Sequence, residues 1–281
     1  MATLYRIFLK FVLPPPESPK PMTTKEEKLQ AFSRLLDIMD ELREKCPWDQ
    51  KQTMQSLRHL TLEESYELSD ALLEGNLEDI KKELGDVLLH IIFYSKIASE
   101  GSHFDISTVI QSLCEKLIRR HPHIYGDTTV EGEEQVKQNW EKIKQQEGQK
   151  SVLSGVPQSL PALIKAMRMQ EKARAVGFDW EEKSQVWEKV KEEMQEFEAE
   201  FNQVQSFSPE AAEAEFGDLL FSLVNYARFI NINPETALER TNKKFMKRFM
   251  YLEEQARQIG KNLDEMSLAE MDVFWNEAKK L

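Results

Sequence analysis

The sequence predicts an all-α fold of two tandem helical-bundle domains related by an internal duplication, and three observations support this prediction. The 281 residues include only 10 Gly and 11 Pro, with 41% hydrophobic and 31% charged residues, which is typical of a helical globular protein. No segment alternates apolar and polar residues as a half-buried strand does. Two acidic motifs of the first half occur again, in the same order, in the second half.

In the first half, apolar residues recur at helical spacing in successive segments. The predicted helices are 25–45, 53–73, 77–100, 106–120 and 130–146. Thr23 or Thr24 is the predicted N-cap of the first helix, and Gly75 and Gly101 are expected to end the second and third. Residues 121–126 are predicted to form a loop.

The second half repeats this order after a segment that contains Gly, Ser, Gln and two prolines. The predicted helices are 163–176, 186–204, 209–230 and 234–259, followed by a last helix that holds Trp275 and Lys279. The sequence therefore predicts a first domain at 23–147, a linker at 148–161 and a second domain at 162–281. Residues 1–22 are expected to be a disordered extension, or to precede a true start at Met22, with a targeting peptide as the alternative.

Two motifs, EExxE and ExGD, place carboxylates three positions apart, so that each pair shares one face of its helix. The first set is Glu64, Glu67, Glu83 and Asp86, and the second set is Glu193, Glu196, Glu215 and Asp218. Apolar residues flank the first set and predict that its seam faces a core: Leu62, Tyr66, Leu68, Leu72, Leu84, Val87, Leu88, Ile91 and Ile92. Several buried carboxylates without a cation between them would be costly, and oxygen-only ligands suit Mg²⁺ or Mn²⁺ better than zinc.

The net charge of −12 argues against nucleic-acid binding, which needs a basic surface for phosphates. Cys46 and Cys114 give no disulfide framework, as expected of a cytoplasmic protein. The apolar segment 4–13 is too short to span a membrane. No GxxxxGK[ST] motif is present, so a phosphate-binding site of that type is excluded.

Basic and aromatic residues follow both acidic sets at similar distances and complete a predicted phosphate site. Lys244 and Arg248 are one helical turn apart, and Lys116 and Arg120 have the same spacing in the first half. Trp275, with Lys279 one turn on, is placed to stack on a base or ribose. Taken singly, the basic residues would be charges at a helix C-terminus, and the tryptophans would be core aromatics.

These motifs resemble the MazG family of nucleoside triphosphate pyrophosphohydrolases over residues 25–281. In the first half the resemblance rests on Cys46-Pro47-Trp48-Asp49, both acidic motifs and the segment 119–123; in the second half it rests on 176–180, both acidic motifs and 242–249. The resemblance implies a homodimer and Mg²⁺-dependent cleavage of NTPs and dNTPs between the α and β phosphates. It also implies that the second half is the main active copy.

The same resemblance assigns roles to residues of the second half. Glu193, Glu196, Glu215 and Asp218 are expected to be metal ligands and the catalytic set, with Glu64, Glu67, Glu83 and Asp86 as the first-half equivalents. The residues expected to bind the nucleotide are Lys189, Glu192, Lys244, Arg248, Trp275 and Lys279. Two alternatives stay open: a nucleotide-sensing module without turnover, and a pyrophosphatase selective for dCTP or dUTP. The physiological role is either nucleotide-pool house-cleaning or tuning of an alarmone response.

Overall fold

The structure, a computed structural model, describes residues 23–147, 151–202 and 208–281. Within these residues it contains helices and no strand, which confirms the all-α prediction. The α-helices are α1 Lys25–Lys45, α2 Met54–Glu74, α3 Leu77–Glu100, α4 Ile106–Arg120, α5 Pro122–Tyr125, α6 Glu133–Gln146, α7 Ala162–Ala175, α8 Lys183–Asn202, α9 Pro209–Phe229, α10 Pro234–Gln258 and α11 Leu268–Ala278. Short 3₁₀ helices occur at Asp49–Lys51, Val152–Gly155 and Leu263–Glu265.

Local sequence signals account for where these helices begin and end. Thr24 caps α1 in a capping box with Glu27, and Thr53 caps α2 in the same way with Ser56. Gly75 ends α2 with a φ of 73°, a left-handed conformation that glycine adopts without strain. The predicted segment 1–22 and the predicted end of α8 at 203–204 lie outside the described residues.

The prediction of a loop at 121–126 is wrong, because Pro122–Tyr125 forms one helical turn. Proline at the first helical position has no N–H to leave unpaired and already has the φ of a helix. The turn closes when the Gly126 N–H donates to the Pro122 carbonyl at 3.0 Å. The two polar histidines of this segment favoured a loop, and the helix-start signal of Pro122 was not used.

The chain divides into two compact units, one ending at Lys116 and the other running from Leu117 to Leu281. In the first unit α2 packs along α3, and α1 covers α3. Its core is formed by Met39, Leu57, Ile92 and Phe93, all less than 4% exposed. This packing brings the EExxE helix beside the ExGD helix.

In the second unit α8 packs along α9, α7 also packs on α9, and α11 packs on α10. Helix α6 contacts α7, so the contacts group α6 with the second unit rather than with the helices that precede it. The domain boundaries taken from the sequence repeat, at 148 and 161, stay a prediction.

Glu147 follows α6 and accepts hydrogen bonds from Arg120 and Arg119, which lower its pKa from 4.5 to about 2.

The apolar residues around the first acidic set are mostly exposed, so the prediction that they face a core within the chain is wrong for most of them. Ile92 is buried, and Leu68 and Val87 are half-buried. The others are more than a third exposed: Leu62, Tyr66, Leu72, Leu84, Leu88 and Ile91. Two packed helices cover only the sides that face each other, and the remaining apolar side is left to solvent.

Among the described residues, none of the helices combines the length and the hydropathy that a membrane-spanning helix needs.

Candidate functional site

In the first unit, three of the four predicted carboxylates converge between α2 and α3. Ligand oxygens of Glu64, Glu83 and Asp86 all lie within 4.8 Å of one another. Glu64 comes from α2, and the other two come from α3, one turn apart. The sequence prediction that neighbouring helices turn these motifs toward each other is therefore met for three residues.

The negative charges of this first cluster are not fully compensated by cationic side chains or hydrogen bonds. Burial and then the charges of Asp86, Glu67 and Glu83 raise the pKa of Glu64. Glu83 is 6% exposed, and its Oε1 accepts a hydrogen bond from Lys82 at 2.8 Å. Its Oε2 is buried without a hydrogen-bond partner among the described residues. A buried carboxylate oxygen without a partner is costly, and a bound cation would offset that cost.

The second unit repeats the arrangement between α8 and α9. Ligand oxygens of Glu193, Glu215 and Asp218 lie within 4.8 Å of one another. Glu193 is buried, Glu215 is half-buried and Asp218 is exposed. Each cluster is thus an oxygen-only set in which one carboxylate is buried and the other two are more open.

A lysine lies beside the second cluster. Lys189, one turn before Glu193 on α8, places its Nζ 2.6 Å from Glu193 Oε1 and 2.9 Å from Glu192 Oε1. Hydrogen bonds to Glu193 and then to Glu192 raise the pKa of Lys189, so it stays charged. The structure therefore brings together Lys189, Glu192 and Glu193, which the sequence assigned to one site.

Glu67 and Glu196 lie outside the two converging groups and are exposed. Both are still close to their clusters. The charge of Glu67 contributes to raising the pKa of Glu64, and the pKa of Glu196 is raised mainly by desolvation and then by the charge of Glu193. Glu67 and Glu196 each follow the converging glutamate of their motif by three positions. They therefore share its helix face but lie one turn further along, where they are open to solvent. Their role as metal ligands stays a prediction.

A cavity of about 690 Å³ adjoins the second cluster. Glu193, Asp218 and Lys189 line one part of it, and mainly apolar side chains of α7, α8 and α9 line the rest. Its further lining residues include Gln170, Phe178, Trp180, Val186, Phe221 and Asn225. The volume lies in the range of small-molecule sites, and the combination of an acidic edge with an apolar interior is typical of a ligand pocket.

One wall of this cavity is held by an ion pair. Arg228 Nη1 donates to Asp179 Oδ2 at 2.8 Å, and Arg228 Nη2 pairs with the second oxygen. The same guanidinium donates to Asn225 Oδ1 at 2.7 Å from Nη2 and at 3.1 Å from Nε. The two side chains keep limited contact with solvent, with exposures of 16% for Arg228 and 18% for Asp179. The pair ties the loop before α8 to the end of α9.

The predicted nucleotide-binding residues of α10 and α11 form a separate group that does not line this cavity. The Arg248 guanidinium lies 6.0 Å from the Trp275 ring centroid, and the Phe245 ring lies 5.1 Å from the same tryptophan. Arg120 contacts Trp140 in the same manner, at 5.6 Å. Lys244 is exposed, and Lys279 donates to Asn276 at 2.9 Å. Their assignment to the nucleotide stays a prediction.

Sequence reasoning missed several residues that line the cavity. Asp179 belongs to the quoted motif at 176–180, so the repeat of an Asp after the α1 and α7 helices was an available signal. Gln170, Asn225 and Arg228 carry no motif, and only the packing of α7 against α9 brings them to one site. No local pattern in the sequence could have identified them.

Comparison of the sequence with known proteins places this chain in a family. The profile of the MazG nucleotide pyrophosphohydrolase domain matches residues 52–125, which include the first acidic set. Nucleoside triphosphate pyrophosphohydrolase/pyrophosphatase MazG of Thermotoga maritima is 44% identical over 253 residues, covering 88% of this chain and 95% of that protein. Nucleoside triphosphate pyrophosphohydrolase of Escherichia coli (strain K12) is 38% identical over 259 residues, covering 90% and 98%. Uncharacterized protein YabN of Bacillus subtilis is 48% identical over 263 residues, covering 91% of this chain and 53% of that protein.

Proposed function

Because this chain belongs to the MazG family of nucleoside triphosphate pyrophosphohydrolases, we propose that it cleaves NTPs and dNTPs between the α and β phosphates with Mg²⁺. Water would add across the anhydride between the α and β phosphates: its oxygen would bond to one phosphorus, the bond from that phosphorus to the bridging oxygen would break, and its protons would pass to the products or the solvent. The products would be a nucleoside monophosphate and pyrophosphate. The observation that carries this proposal is the cluster of Glu193, Glu215 and Asp218 at the edge of a 690 Å³ cavity.

The residues present fit a divalent cation. Both clusters offer carboxylate oxygens only, which suits Mg²⁺ or Mn²⁺, and the unpartnered Glu83 Oε2 in the first cluster supports the same reading. Glu193, Glu215 and Asp218 would hold the ion in the second unit, with Glu196 beside them. When bound, the ion would offset the charge of the phosphate chain and make the attacking water more acidic.

The side chains of the second unit would divide the remaining work. Lys189 is held at the cluster by Glu192 and Glu193, where its charge would attract a phosphate oxygen once a cation satisfies Glu193. We propose that the apolar part of the cavity takes the base, since its aromatic side chains can stack on it. Lys244, Arg248, Trp275 and Lys279 would then contact the outer phosphates or the ribose.

We propose that the second unit carries the main activity and that the chain acts on the cytoplasmic nucleotide pool as a house-cleaning enzyme. The acidic edge of the cavity, with Lys189 in it, supports the first part of this proposal. Broad specificity for the base is proposed over selectivity for dCTP or dUTP, because the cavity is larger than a pyrimidine needs.

A homodimer is the assembly that we propose, since both units expose large apolar side chains on the helices that carry the clusters. In the second unit these include Phe216 and Leu220 on α9, and α10 adds Phe245, Met246 and Met250, each more than 40% exposed. A Cβ at Gly217 would meet no heavy atom within 4 Å among the described residues, so packing within the chain does not require glycine there, whereas close approach of a second copy would. Apolar faces of this kind mark protein interfaces.

We expect the chain to sediment as a dimer, at twice the 32.8 kDa of one chain. Met246→Glu together with Met250→Glu should shift the protein toward the monomer, because two carboxylates would have to be buried at the interface. Analytical ultracentrifugation measures this, and Lys280→Glu at the exposed C-terminus is the control. A wild-type protein that is monomeric at micromolar concentration would contradict the proposal.

The experiment that tests the function identifies the phosphorus product. Purified protein with Mg²⁺ is expected to release pyrophosphate, not orthophosphate, from each of the eight common NTPs and dNTPs and from dUTP, and to lose this activity when EDTA removes the metal. Ion chromatography separates the two products directly. Orthophosphate as the first product would place the cleavage at the γ phosphate and refute the proposal. Release from dCTP or dUTP alone would support the selective alternative.

A further inference from the structure

Gln170 on α7 lines the cavity of the second unit and carries an unsatisfied acceptor. The side chain is 7% exposed, and its Nε2 donates to the Phe221 carbonyl of α9 at 2.8 Å. Its Oε1 is buried and has no hydrogen-bond partner among the described residues. Buried polar atoms are nearly always paired, so an unpaired one in a ligand cavity points to the ligand as its partner.

The orientation of this amide follows from chemistry. The Phe221 carbonyl can only accept a hydrogen bond, so the group facing it must be the NH₂ of Gln170. Turning the amide over would place two acceptor oxygens against each other. Oε1 is therefore held as an acceptor, and it cannot change role to suit a different ligand.

Other polar side chains of the cavity are already engaged. The Asn225 oxygen accepts from Arg228, and Arg228 in turn is bound to Asp179. The Ser222 hydroxyl donates to the Leu219 carbonyl at 2.8 Å. Lys189 is bound to Glu192 and Glu193 at the acidic edge. Gln170 differs from them in that its Oε1 has no partner among the described residues, and Met169, Ala173 and Phe221 line the same cavity.

We propose that Gln170 is a specificity-determining residue whose Oε1 accepts a hydrogen bond from an N–H on the Watson–Crick edge of the substrate base. This inference rests on the proposed function, in which the apolar part of the cavity holds the base. Adenine and cytosine offer an amino group on this edge, and guanine, uracil and thymine offer a ring N–H. An acceptor on this edge therefore has a donor to meet on each of the common bases, and it has none on a base that lacks a donor there.

The test compares ATP with purine riboside triphosphate, which lacks the amino group of adenine and adds no bulk that could clash. For the wild-type protein, kcat/KM measured by pyrophosphate release should be about tenfold to a hundredfold higher for ATP, because the analogue leaves Oε1 unpaired. Gln170→Leu, of similar volume, should bring the ratio of the two substrates close to one. Gln258→Leu, at the exposed end of α10, is the matched control and should leave the ratio unchanged.

Failure of the proposed function and failure of the proposed role of Gln170 give different results in this experiment. If the wild-type protein releases no pyrophosphate from ATP, the proposed function fails. If it cleaves ATP and the analogue equally well, the function stands and the role of Gln170 is refuted. A folded Gln170→Leu protein that keeps the wild-type preference also refutes it. Should that variant not fold, the wild-type ratio alone decides, since it requires no substitution.

Discussion

Replacing Glu193 with glutamine is expected to reduce pyrophosphate release from ATP by roughly 10³-fold, the order found when a group that stabilises transition-state charge is removed. Glu193 is the buried member of the second cluster, and it shares that cluster with Glu215 and Asp218 within 4.8 Å. The amide keeps the size of the side chain but removes the negative charge that a divalent cation needs. The fall should be in kcat/KM.

Two variants serve as controls for this prediction. Glu198→Gln changes an exposed carboxylate later on the same helix, outside the cluster, and should leave the rate near that of the wild type. Glu64→Gln removes the corresponding carboxylate of the first unit and should spare most of the activity, because the main site is proposed in the second unit. An intact rate in Glu193→Gln, or an equal loss in both Glu193→Gln and Glu64→Gln, would contradict the assignment.

Replacing Arg228 with methionine is expected to destabilise the second unit by about 2 kcal/mol, less than for a fully buried pair because both partners keep some solvent contact. The change removes two hydrogen bonds to Asp179 and two to Asn225. Asp179 would then keep the hydrogen bond from the Trp180 N–H at 3.0 Å and the longer contact with Arg174 at 3.7 Å. Its carboxylate, 18% exposed, would be poorly compensated in the wall of the cavity.

Differential scanning calorimetry should show this loss as a fall in Tm of roughly 4–8 °C. Asp179→Asn combined with Arg228→Met should cost less than the sum of the single changes, because the two side chains act as one pair. Arg257→Met provides the matched control, since Arg257 is 72% exposed in a surface pair with Glu254 and should contribute little. Additive losses in the double variant would show that the pair is not coupled.

The helices themselves were predictable because their signals are local. The capping threonines, the glycine that ends α2 and the apolar periodicity each act within a few residues, and the observed ends follow them closely. The exception at Pro122–Tyr125 is a single turn, too short to show a period. The carboxylates of both motifs were also predictable, since a spacing of three places them on one face whatever the rest of the chain does.

The composition of the site was not predictable to the same degree. The spacing of EExxE does not decide which of its carboxylates turns toward the next helix, and the structure selects Glu64 and Glu193 while leaving Glu67 and Glu196 exposed. Whether the apolar residues around the motif are buried also depends on what packs over them. Most of those in the first unit face solvent in the single chain, contrary to the sequence prediction.

The sequence by itself determined the all-α class, the helix boundaries to within a few residues and the two carboxylate sets, because each depends on contacts between near neighbours along the chain. Only the tertiary structure decided which three carboxylates meet, and that a cavity with Gln170, Asp179 and Arg228 lies beside the second set. Gln170 and Phe221 are 51 positions apart and meet through the packing of α7 on α9. Such contacts leave no local pattern, since they depend on how whole helices pack rather than on the spacing within one of them.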